Sequence, residues 1–437
     1  MCAHLSVHQK PHRALSLALL CCVPLALVCL AGCASSTHEA VEPPAITESA
    51  KQPDAPHKET ASLDVASPNT AAERDQITLL FAGDVMAHEE NYSHPDFAAI
   101  WDDVRDIVEG ADLAFMNLEA PVADSLPFST YPNFNMNSSY PLAAIDAGFN
   151  VISLVNNHSN DQGLAGIEET RAWALATEER TAGSPRPVWF SGLREEGKPF
   201  SYHLIEQGGW RVLFLAVSEI LNRPTCKTSL NYVEPKSEVR FAFLQYLAKL
   251  RRENPCDLFV LSIHSCEDEY VVRVFDERRA FYRQILESGV DVVWANHPHV
   301  VREMEVYEDA QRTVRKLVMY GMGNTISGQR RQPNFANPRD SYNGRGDGLM
   351  MKATFVRDEA GGVRVESSEL LFVTTIIEVR GSERHFSLKR LDEDLLATLR
   401  TAGRTGQGEW ASQWAAFLAV RLEQNRAQAR VRRVSLE

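Results

Sequence analysis

Short apolar runs alternate with longer stretches of helical periodicity between residues 76 and 325. Apolar runs of this length, separated by helices, are typical of strands that are buried on both faces of an α/β sheet. The alternation therefore predicts a layered α/β fold with a sheet core flanked by helices. The predicted strands are residues 77–81 (ITLLF), 112–116 (DLAFM), 151–155 (VISLV), 212–217 (VLFLAV), 257–263 (DLFVLSI), 290–294 (VDVVW) and 316–320 (KLVMY).

Helical periodicity predicts the segments that connect and follow these strands. A second block, residues 349–391, is rich in strand-forming sequence and predicts antiparallel strands added to the same domain. A last helix places Trp414 and Phe417 on one face for packing. The arginines after Gln424 predict the solvated end of that helix. The predicted connecting helices are residues 98–108, 142–147, 166–178, 239–251 and 278–288.

The first 33 residues have the pattern of a secretory signal, because basic residues precede an apolar run that ends in Leu30-Ala31-Gly32-Cys33. The LAGC ending resembles a bacterial lipobox, whose cysteine is acylated and becomes the first residue. An uncleaved membrane anchor is the alternative, since the run is almost long enough to span a bilayer. Both interpretations place the body of the protein outside the cytoplasmic membrane, and the first predicts a lipid anchor at Cys33.

Four segments are predicted along the chain. Residues 1–33 form the lipoprotein signal peptide. Residues 34–74, rich in Ala, Ser, Thr, Pro and Glu, form a disordered tether. Residues 75–391 form the main domain, and residues 392–437 form a helical extension.

Charge and cysteine content narrow the classes of partner and site. The 437 residues include 58 acidic and 45 basic side chains, and the net charge of −13 argues against nucleic acid as a partner. A small anionic substrate held in a local basic pocket remains compatible with this charge. Three cysteines follow the leader: Cys226, Cys256 and Cys266. Because three is an odd number, at most one disulfide is expected, and no function is assigned to any of these cysteines.

Polar residues follow six of the predicted strands at the point where each strand ends. Ligands bind at the carboxyl ends of the strands in an α/β sheet, so these side chains are expected to lie close together. The strand ends carry Gly83-Asp84, Asn117-Leu118-Glu119, Asn156-Asn157-His158 with Asp161, His264, Asn296-His297-Pro298-His299 and Gly323-Asn324.

Each of these residues has an ordinary structural explanation when it is taken alone. Asp84 or Asp161 can cap a helix, and Glu119 can be an exposed loop acid. The joint pattern favours chemistry, because carboxylates, an amide oxygen and several imidazoles together suit a divalent ion such as Mn, Fe or Zn. His158 and Asp161 can also form a pair for proton transfer. Two ions bridged by one carboxylate would clamp the oxygens of an in-line displacement.

The order GD, NLE, NNHxxD, H, HPH and GN resembles the CapA family of poly-γ-glutamate capsule synthesis proteins, within the calcineurin-like metallophosphoesterase superfamily. The resemblance runs from about Ile77 to Thr325. It is strongest in NLEAPV, in GFNVISLVNNHSNDQGLAGIEET, and in ANHPHVV followed by YGMGN. It implies a calcineurin-like metallophosphoesterase fold, two divalent ions and a role in the biosynthesis of a surface polymer.

The resemblance also implies a role for each matching residue. His158 with Asp161 matches the His–Asp pair of the superfamily, which lies beside the substrate. The implied metal ligands are Asp84 and His299 for the first ion, Glu119 as the bridge, and Asn157, His264 and His297 for the second ion.

Three departures from the family pattern bear on the site. Met86 stands where the superfamily usually has a histidine ligand, and a thioether is a poor ligand for a hard divalent ion. The first metal position is therefore expected to have fewer ligands, to be weakly occupied or to use His88. The segment HSCEDEY shifts the acid-Tyr pair, Glu269-Tyr270, by one place, and Asn296 replaces another histidine.

The loop that follows Gly323-Asn324 concentrates arginines near the expected mouth of the site. Arg330 and Arg331 are predicted to bind an anionic substrate, because arginine recognises carboxylate and phosphate groups in a planar, bidentate manner. A solvated flexible loop is the alternative.

Two functions of different classes remain open. The first is a metal-dependent hydrolase of a phosphoester or a related anionic polymer, anchored in the bacterial cell envelope. The second is a non-catalytic scaffold or anchoring component that works with capsule or envelope assembly proteins. His158 and Asp161 favour catalysis, whereas Met86 argues against it.

Overall fold

The structure is a computed structural model, and it describes residues 74–359, 361–380, 383–404 and 408–436. The predicted signal peptide with Cys33 lies outside these residues, as does the predicted tether apart from Arg74. The lipid anchor and the division into four segments therefore stay predictions. No helix within the described ranges is long and apolar enough to cross a membrane.

Fifteen strands and eight α-helices form within the described ranges. The strands are β1 (Gln76–Val85), β2 (Leu113–Leu118), β3 (Val151–Ser153), β4 (Trp189–Ser191), β5 (Tyr202–Gln207), β6 (Trp210–Ser218), β7 (Leu258–His264), β8 (Val292–Asn296), β9 (Met304–Glu308), β10 (Val314–Met319), β11 (Asn324–Ile326), β12 (Asp347–Arg357), β13 (Val363–Arg380), β14 (Glu383–Arg390) and β15 (Val431–Ser435). The helices are α1 (Glu89–Tyr92), α2 (Arg105–Glu109), α3 (Ser139–Asp146), α4 (Gly163–Thr181), α5 (Ser237–Glu253), α6 (Asp276–Glu287), α7 (Glu393–Arg404) and α8 (Gly408–Gln428).

The strands form two mixed sheets. The first sheet has the order β14-β13-β12-β1-β2-β3-β4, and β11 also pairs with β1. Strands β1 to β4 run parallel, whereas β12, β13 and β14 are antiparallel. The second sheet has the order β15-β9-β10-β8-β7-β6-β5, with β6, β7, β8 and β10 parallel.

Apolar side chains from both sheets form one core between them. Phe115 of the first sheet packs against Phe214 and Trp294 of the second, with ring centroids 5.5 and 5.9 Å apart. The indole Nε1 of Trp294 donates a hydrogen bond to the Ala82 carbonyl at 2.8 Å. This contact brings the carboxyl end of β8 beside that of β1.

Helices cover the outer faces of these sheets. Phe243 of α5 and Phe281 of α6 pack on the second sheet with Leu215 and Ile263. The C-terminal helices α7 and α8 form a separate apolar cluster with β13 and β14, which includes the buried Trp414. The predicted layered α/β fold and its strand-rich C-terminal part are confirmed, and all seven predicted strands form.

Two local predictions are wrong. Residues 98–108 are not one helix, because a 3₁₀ turn at Ala98–Ile100 precedes α2. Trp101 ends that turn and packs against Phe149 with ring centroids 5.4 Å apart, which fixes the irregular backbone.

The second prediction, a solvated helix end at the arginine-rich tail, is wrong only beyond Gln428. Arg426 is exposed in the last turn of α8, whereas Arg432 and Arg433 lie in a strand. Strand β15 pairs in parallel with β9. Arg432 lies 3.2 Å from Glu305, and Arg433 pairs with Glu308. These ion pairs favour an extended chain along β9 over another helical turn.

Candidate metal centre

The carboxyl ends of strands from both sheets meet at one point. Asp84 lies near the end of β1, Glu119 directly follows β2, and His264 is the last residue of β7. Parallel pairing aligns Asp84 with Asn117 in the first sheet and His264 with Asn296 in the second. Strand register aligns the donors within each sheet, and the packing of the two sheets brings Glu119 next to His264.

His299 lies between the two carboxylates. Its Nδ1 is 3.0 Å from Asp84 Oδ2, and its Nε2 is 3.5 Å from Glu119 Oε1. The same oxygen of Glu119 is 3.6 Å from His264 Nε2. Glu119 thus faces His264 and His299 through one oxygen atom.

His264 connects this group to the remaining predicted ligands. Its Nε2 lies 2.8 Å from Asn157 Oδ1 and 3.1 Å from His297 Nδ1. All six predicted ligand residues are buried, and together they form one continuous cluster. Their role as ligands stays a prediction.

The loop that carries His297 and His299 has an unusual backbone. Both residues have positive φ angles, 101° and 54° respectively. Non-glycine residues rarely adopt such conformations, which cost about 1–3 kcal/mol each and persist where the surroundings enforce them. The strain turns both imidazoles toward the same cluster.

Two glycines explain the GD and GN motifs. A Cβ on Gly83 would lie 2.1 Å from the Gly323 carbonyl oxygen, so no larger residue fits there. Gly323 itself has a φ of 68°. The close approach lets the Asp84 amide donate a hydrogen bond to the Gly323 carbonyl at 3.0 Å, which fixes the position of the carboxylate.

Burial sets the protonation of the cluster. Burial, followed by the charge of Asp84, raises the pKa of Glu119 well above its usual value. Burial and neighbouring imidazoles lower the pKa of His264 and His297 well below the usual value. Burial also lowers the pKa of His299, but the hydrogen bond and charge of Asp84 outweigh it, so this pKa is raised overall.

The two carboxylates of the cluster, Asp84 and Glu119, are buried. Glu119 Oε1 has no hydrogen-bond partner, and Asp84 Oδ2 lies 3.0 Å from His299 Nδ1. Neither carboxylate pairs with a Lys or Arg among the described residues, although a buried charge is costly without a partner. A divalent cation fits this chemistry. Three groups of donors, each with ligand atoms within 4.8 Å, could hold one: Glu119, His264 and His297; Asp84, Glu119 and His299; and Glu269, His297 and His299.

The turn after β3 holds a His–Asp pair beside the cluster. His158 Nδ1 lies 2.6 Å from Asp161 Oδ2, which also accepts a hydrogen bond from the Phe134 amide at 2.8 Å. The Asn222 amide nitrogen lies 3.1 Å from the same His158 nitrogen. No hydrogen bond among the described residues engages His158 Nε2, which leaves that atom available to a substrate.

The capping interpretation of this turn is wrong for Asp161. Gln162 occupies the N-cap position of α4, and no side chain caps that helix. The structural role falls to Asn156, whose Oδ1 accepts from the His158 amide at 3.1 Å and whose Nδ2 donates to the Leu118 carbonyl at 2.9 Å. Asn156 therefore ties the turn to β2 and sets the position of His158.

Met86 and His88 lie on the first-metal side of the site. Met86 is buried, and its carbonyl accepts hydrogen bonds from Asn91 and Tyr140. His88 has a buried Nδ1 without a partner. Burial, with the neighbouring His299 as the next cause, lowers the pKa of His88 to about 3, so this imidazole is neutral. His88 belongs to none of the three donor groups, so its use as a substitute ligand stays a prediction.

The structure adds residues that the sequence did not assign. Glu269 is exposed and belongs to the same group of possible metal ligands as His297 and His299. The feature of the sequence that pointed to Glu269 was the shifted acid-Tyr pair. Asn324 Oδ1 lies 3.0 Å from His299 Nδ1, and Asn117 Nδ2 donates to Asp84 Oδ1 at 2.8 Å. Both asparagines follow predicted strands, so their positions in the sequence could have indicated that they lie in the site.

The predicted substrate contact of Arg330 is wrong. Arg330 is 0% exposed, and its guanidinium pairs with Asp347 at 2.8 Å and donates to Thr374 at 2.9 Å. These buried contacts leave it unavailable to a ligand. Arg331 is exposed and pairs with Glu90, so its contact with a substrate stays a prediction.

Within the described part of the chain, Cys226, Cys256 and Cys266 form no disulfide.

Residues 78–329, which are 252 of the 437 residues, match the family described as bacterial capsule synthesis protein PGA_cap. The chain belongs to the PGA_cap family. Membership confirms the resemblance that the strand-end motifs indicated. The match covers every residue predicted as a metal ligand or as part of the His–Asp pair.

Curated relatives of this PGA_cap member carry related names. The chain is 22% identical over 282 residues to "Capsule biosynthesis protein CapA" of Bacillus anthracis, covering 61% of this chain and 63% of that protein. It is 22% identical over 263 residues to "PGA biosynthesis protein CapA" of Bacillus subtilis (strain 168), covering 58% and 64%. The matched region thus spans less than two thirds of either relative.

One solved structure with a similar chain is described as "Putative 5'-Nucleotidase from Staphylococcus aureus in complex with alpha-ketoglutarate". The similarity covers 67% of this chain and 54% of that chain, with a TM-score of 0.36 and 16% sequence identity.

Proposed function

We propose that this PGA_cap member is a metal-dependent hydrolase of a phosphoester, or of a related anionic polymer, in the biosynthesis of a capsule-type envelope polymer. The main support is the buried cluster of carboxylates and imidazoles that lacks a Lys or Arg partner among the described residues. The His158–Asp161 pair beside it supplies a group for proton transfer. The names of the Bacillus relatives support the link to capsule biosynthesis.

The proposed centre holds two divalent ions, which are Mn, Fe or Zn. When bound, such ions would polarise a phosphoryl oxygen and offset the charge that develops on it. The assignment is Asp84 and His299 to the first ion, Glu119 to both, and Asn157, His264 and His297 to the second.

The chain's own residues would orient and protonate the substrate. His158 would donate a proton from Nε2 to the leaving oxygen, since Nδ1 is held by Asp161. Asp161 would keep the ring oriented through the contact between its Oδ2 and His158 Nδ1. The burial of the pair limits access by bulk water.

A non-catalytic scaffold is the second candidate. Met86, buried at the position of an expected histidine ligand, supports it because the first metal position then has fewer donors. In this function the site would bind a polymer or an assembly protein without turnover.

An assay with chromogenic phosphomonoester and phosphodiester substrates distinguishes the two functions. We expect turnover with added Mn²⁺, Fe²⁺ or Zn²⁺ that a chelator abolishes. The Glu119→Gln variant, which removes the proposed bridge at nearly constant volume, controls for contaminating phosphatases. A metal-replete protein without turnover above that variant would contradict the hydrolase and favour the scaffold.

The lipid anchor at Cys33 is part of the same proposal, because it would hold the centre in the bacterial envelope. Mass spectrometry of membrane-extracted protein is expected to find an acylated Cys33 as the first residue. Retention of residues 1–32, or an unmodified Cys33, would contradict it.

A further inference from the structure

Arg345 differs from the other arginines of its segment. The segment from residue 329 to 346 contains four arginines, and three of them pair with carboxylates: Arg330 with Asp347, Arg331 with Glu90 and Arg339 with Glu423. Among the described residues, no carboxylate forms an ion pair with Arg345. A guanidinium is always charged, so its charge requires water or an external anion as a partner.

Two tyrosines hold the side chain of Arg345 in place. Its Cζ lies 3.6 Å from the ring centroid of Tyr270 and 5.1 Å from that of Tyr342. The side chain is half-buried, and its Nε is buried without a hydrogen-bond partner. A stacked guanidinium loses little further freedom when it binds a ligand, because its orientation is already restricted.

The same residues lie against the proposed metal centre. Asn324 donates from Nδ2 to the Arg345 carbonyl at 2.8 Å, and its Oδ1 lies 3.0 Å from His299 Nδ1. The Tyr270 ring centroid is 6.1 Å from that of His299. The Tyr270 amide donates to the Pro298 carbonyl at 2.8 Å, which joins it to the strained loop of His297 and His299. Arg345 therefore stands at the rim of the centre.

We propose that Arg345 binds a phosphate group of the substrate at the rim of the metal centre, with Tyr270 as its positioning residue. This inference rests on the proposed hydrolase function, because it names the substrate class of the same site. A tetrahedral phosphate in this site would present oxygens toward the rim, and arginine offers several donors in a fixed fork to such oxygens. The proposed substrate is a phosphoester, and a polymer recognised through its carboxylates is the alternative that a carboxylate probe tests.

The test uses the metal-loaded full-length protein and its Arg345→Ala variant. Arg339→Ala is the matched control, because Arg339 belongs to the same segment but pairs with Glu423. Calorimetry with inorganic phosphate is expected to give about 10- to 100-fold weaker binding for Arg345→Ala, the range expected for a lost hydrogen bond to a charged group. Metal content and melting temperature should match the wild type. Arg345→Lys should recover part of the affinity, since it keeps the charge but not the stacked fork.

Kinetics and a second probe separate the possible results. With a phosphoester substrate, KM should rise by a similar factor while kcat changes less. Phosphate binding that depends on Arg345 supports the inference even if the wild type shows no turnover, in which case only the hydrolase function fails. Equal phosphate affinity in Arg345→Ala and the wild type would overturn it, as would absence of phosphate binding. Binding of glutarate, but not phosphate, that depends on Arg345 would overturn the assignment to phosphoesters.

Discussion

Replacing His158 with alanine is expected to lower phosphoester turnover by about 10²–10⁴-fold, the usual contribution of a general acid or base. The expected loss is in kcat, because the imidazole acts on the leaving oxygen as the bond breaks. The fold and the bound metal should be retained, since His158 is not among the proposed metal ligands. The measurement combines steady-state kinetics with elemental analysis of the same preparation.

The Asp161→Asn variant is expected to lose less activity than His158→Ala. The substitution keeps a polar side chain near His158 Nδ1 but removes the carboxylate that holds the ring in position. Asp161 also accepts a hydrogen bond from the Phe134 amide, so the local turn should be checked by thermal melting. A larger loss of activity in His158→Ala than in Asp161→Asn would indicate that His158 donates the proton and that Asp161 orients the ring.

Suitable controls keep this prediction falsifiable. His158→Gln preserves more of the buried volume, so it separates lost chemistry from a local cavity. His203→Ala removes a histidine that pairs with Glu178 outside the cluster, and it should leave turnover unchanged. If His158→Ala, His158→Gln and the wild type turn over equally, the His–Asp pair has no catalytic role.

The second large effect is expected for His264→Ala, which should weaken metal binding by more than about 100-fold. Losing a residue that only supports a metal ligand typically lowers metal affinity or activity 10–100-fold, so losing a ligand itself should lower metal affinity further. His264 lies close to Glu119, Asn157 and His297, so its loss removes a donor from the centre of the cluster. Elemental analysis and calorimetry with Mn²⁺ or Zn²⁺ measure this loss.

Thermal stability gives a second readout of the same variant. A metal that binds the folded chain raises stability in proportion to RT ln(1 + [L]/Kd), so added metal should raise the wild-type melting temperature. The rise should be reduced or absent in His264→Ala, whereas His203→Ala should keep it. Unchanged metal content and an unchanged metal-dependent rise in His264→Ala would refute the assignment of this residue.

The pKa shifts predict how the chelated protein responds to acid. The pKa of His264 and His297 is lowered on folding, so below about pH 6.5 the unfolded chain binds protons that the folded chain does not. The contribution of these two histidines to stability is therefore lost as the pH falls below about 6.5. The raised pKa of Glu119 and of His299 acts in the opposite direction, so the comparison of the wild type with a variant isolates the effect of one histidine. His264→Ala should show a correspondingly shallower dependence in chelator.

Strand-end chemistry was predictable from the sequence, because parallel neighbours align their carboxyl ends. Asp84, Glu119 and His264 each follow or end an apolar run. Register aligns such residues within each sheet, and the packing of the two sheets then brings them together. No statement about loops was needed for this part of the cluster. The same reasoning correctly placed the turn of His158 beside it.

Residues held by loop conformation could not be predicted in this way. Glu269 reaches His297 and His299 because Tyr270 has a φ of 65° and bonds to the Pro298 carbonyl. The sequence showed the shifted acid-Tyr pair, but not the turn that brings Glu269 to the two histidines. The prediction that Arg330 contacts the substrate was wrong for a related reason. Its burial depends on Asp347, a partner that only the tertiary fold brings into contact.

The pairing of β15 with β9 has a consequence for how this protein avoids aggregation. Open hydrogen-bonding edges of sheets invite pairing with other chains, and charged side chains on the outermost strand discourage it. Strand β9 would be the outermost strand of its sheet without β15, and β15 comes far later in the chain. During synthesis the acidic strand β9 is therefore made before β15, the basic strand that carries Arg432 and Arg433 and pairs with it. A chain that lacks β15 would expose this edge, whereas β15 covers it with an arginine-bearing strand.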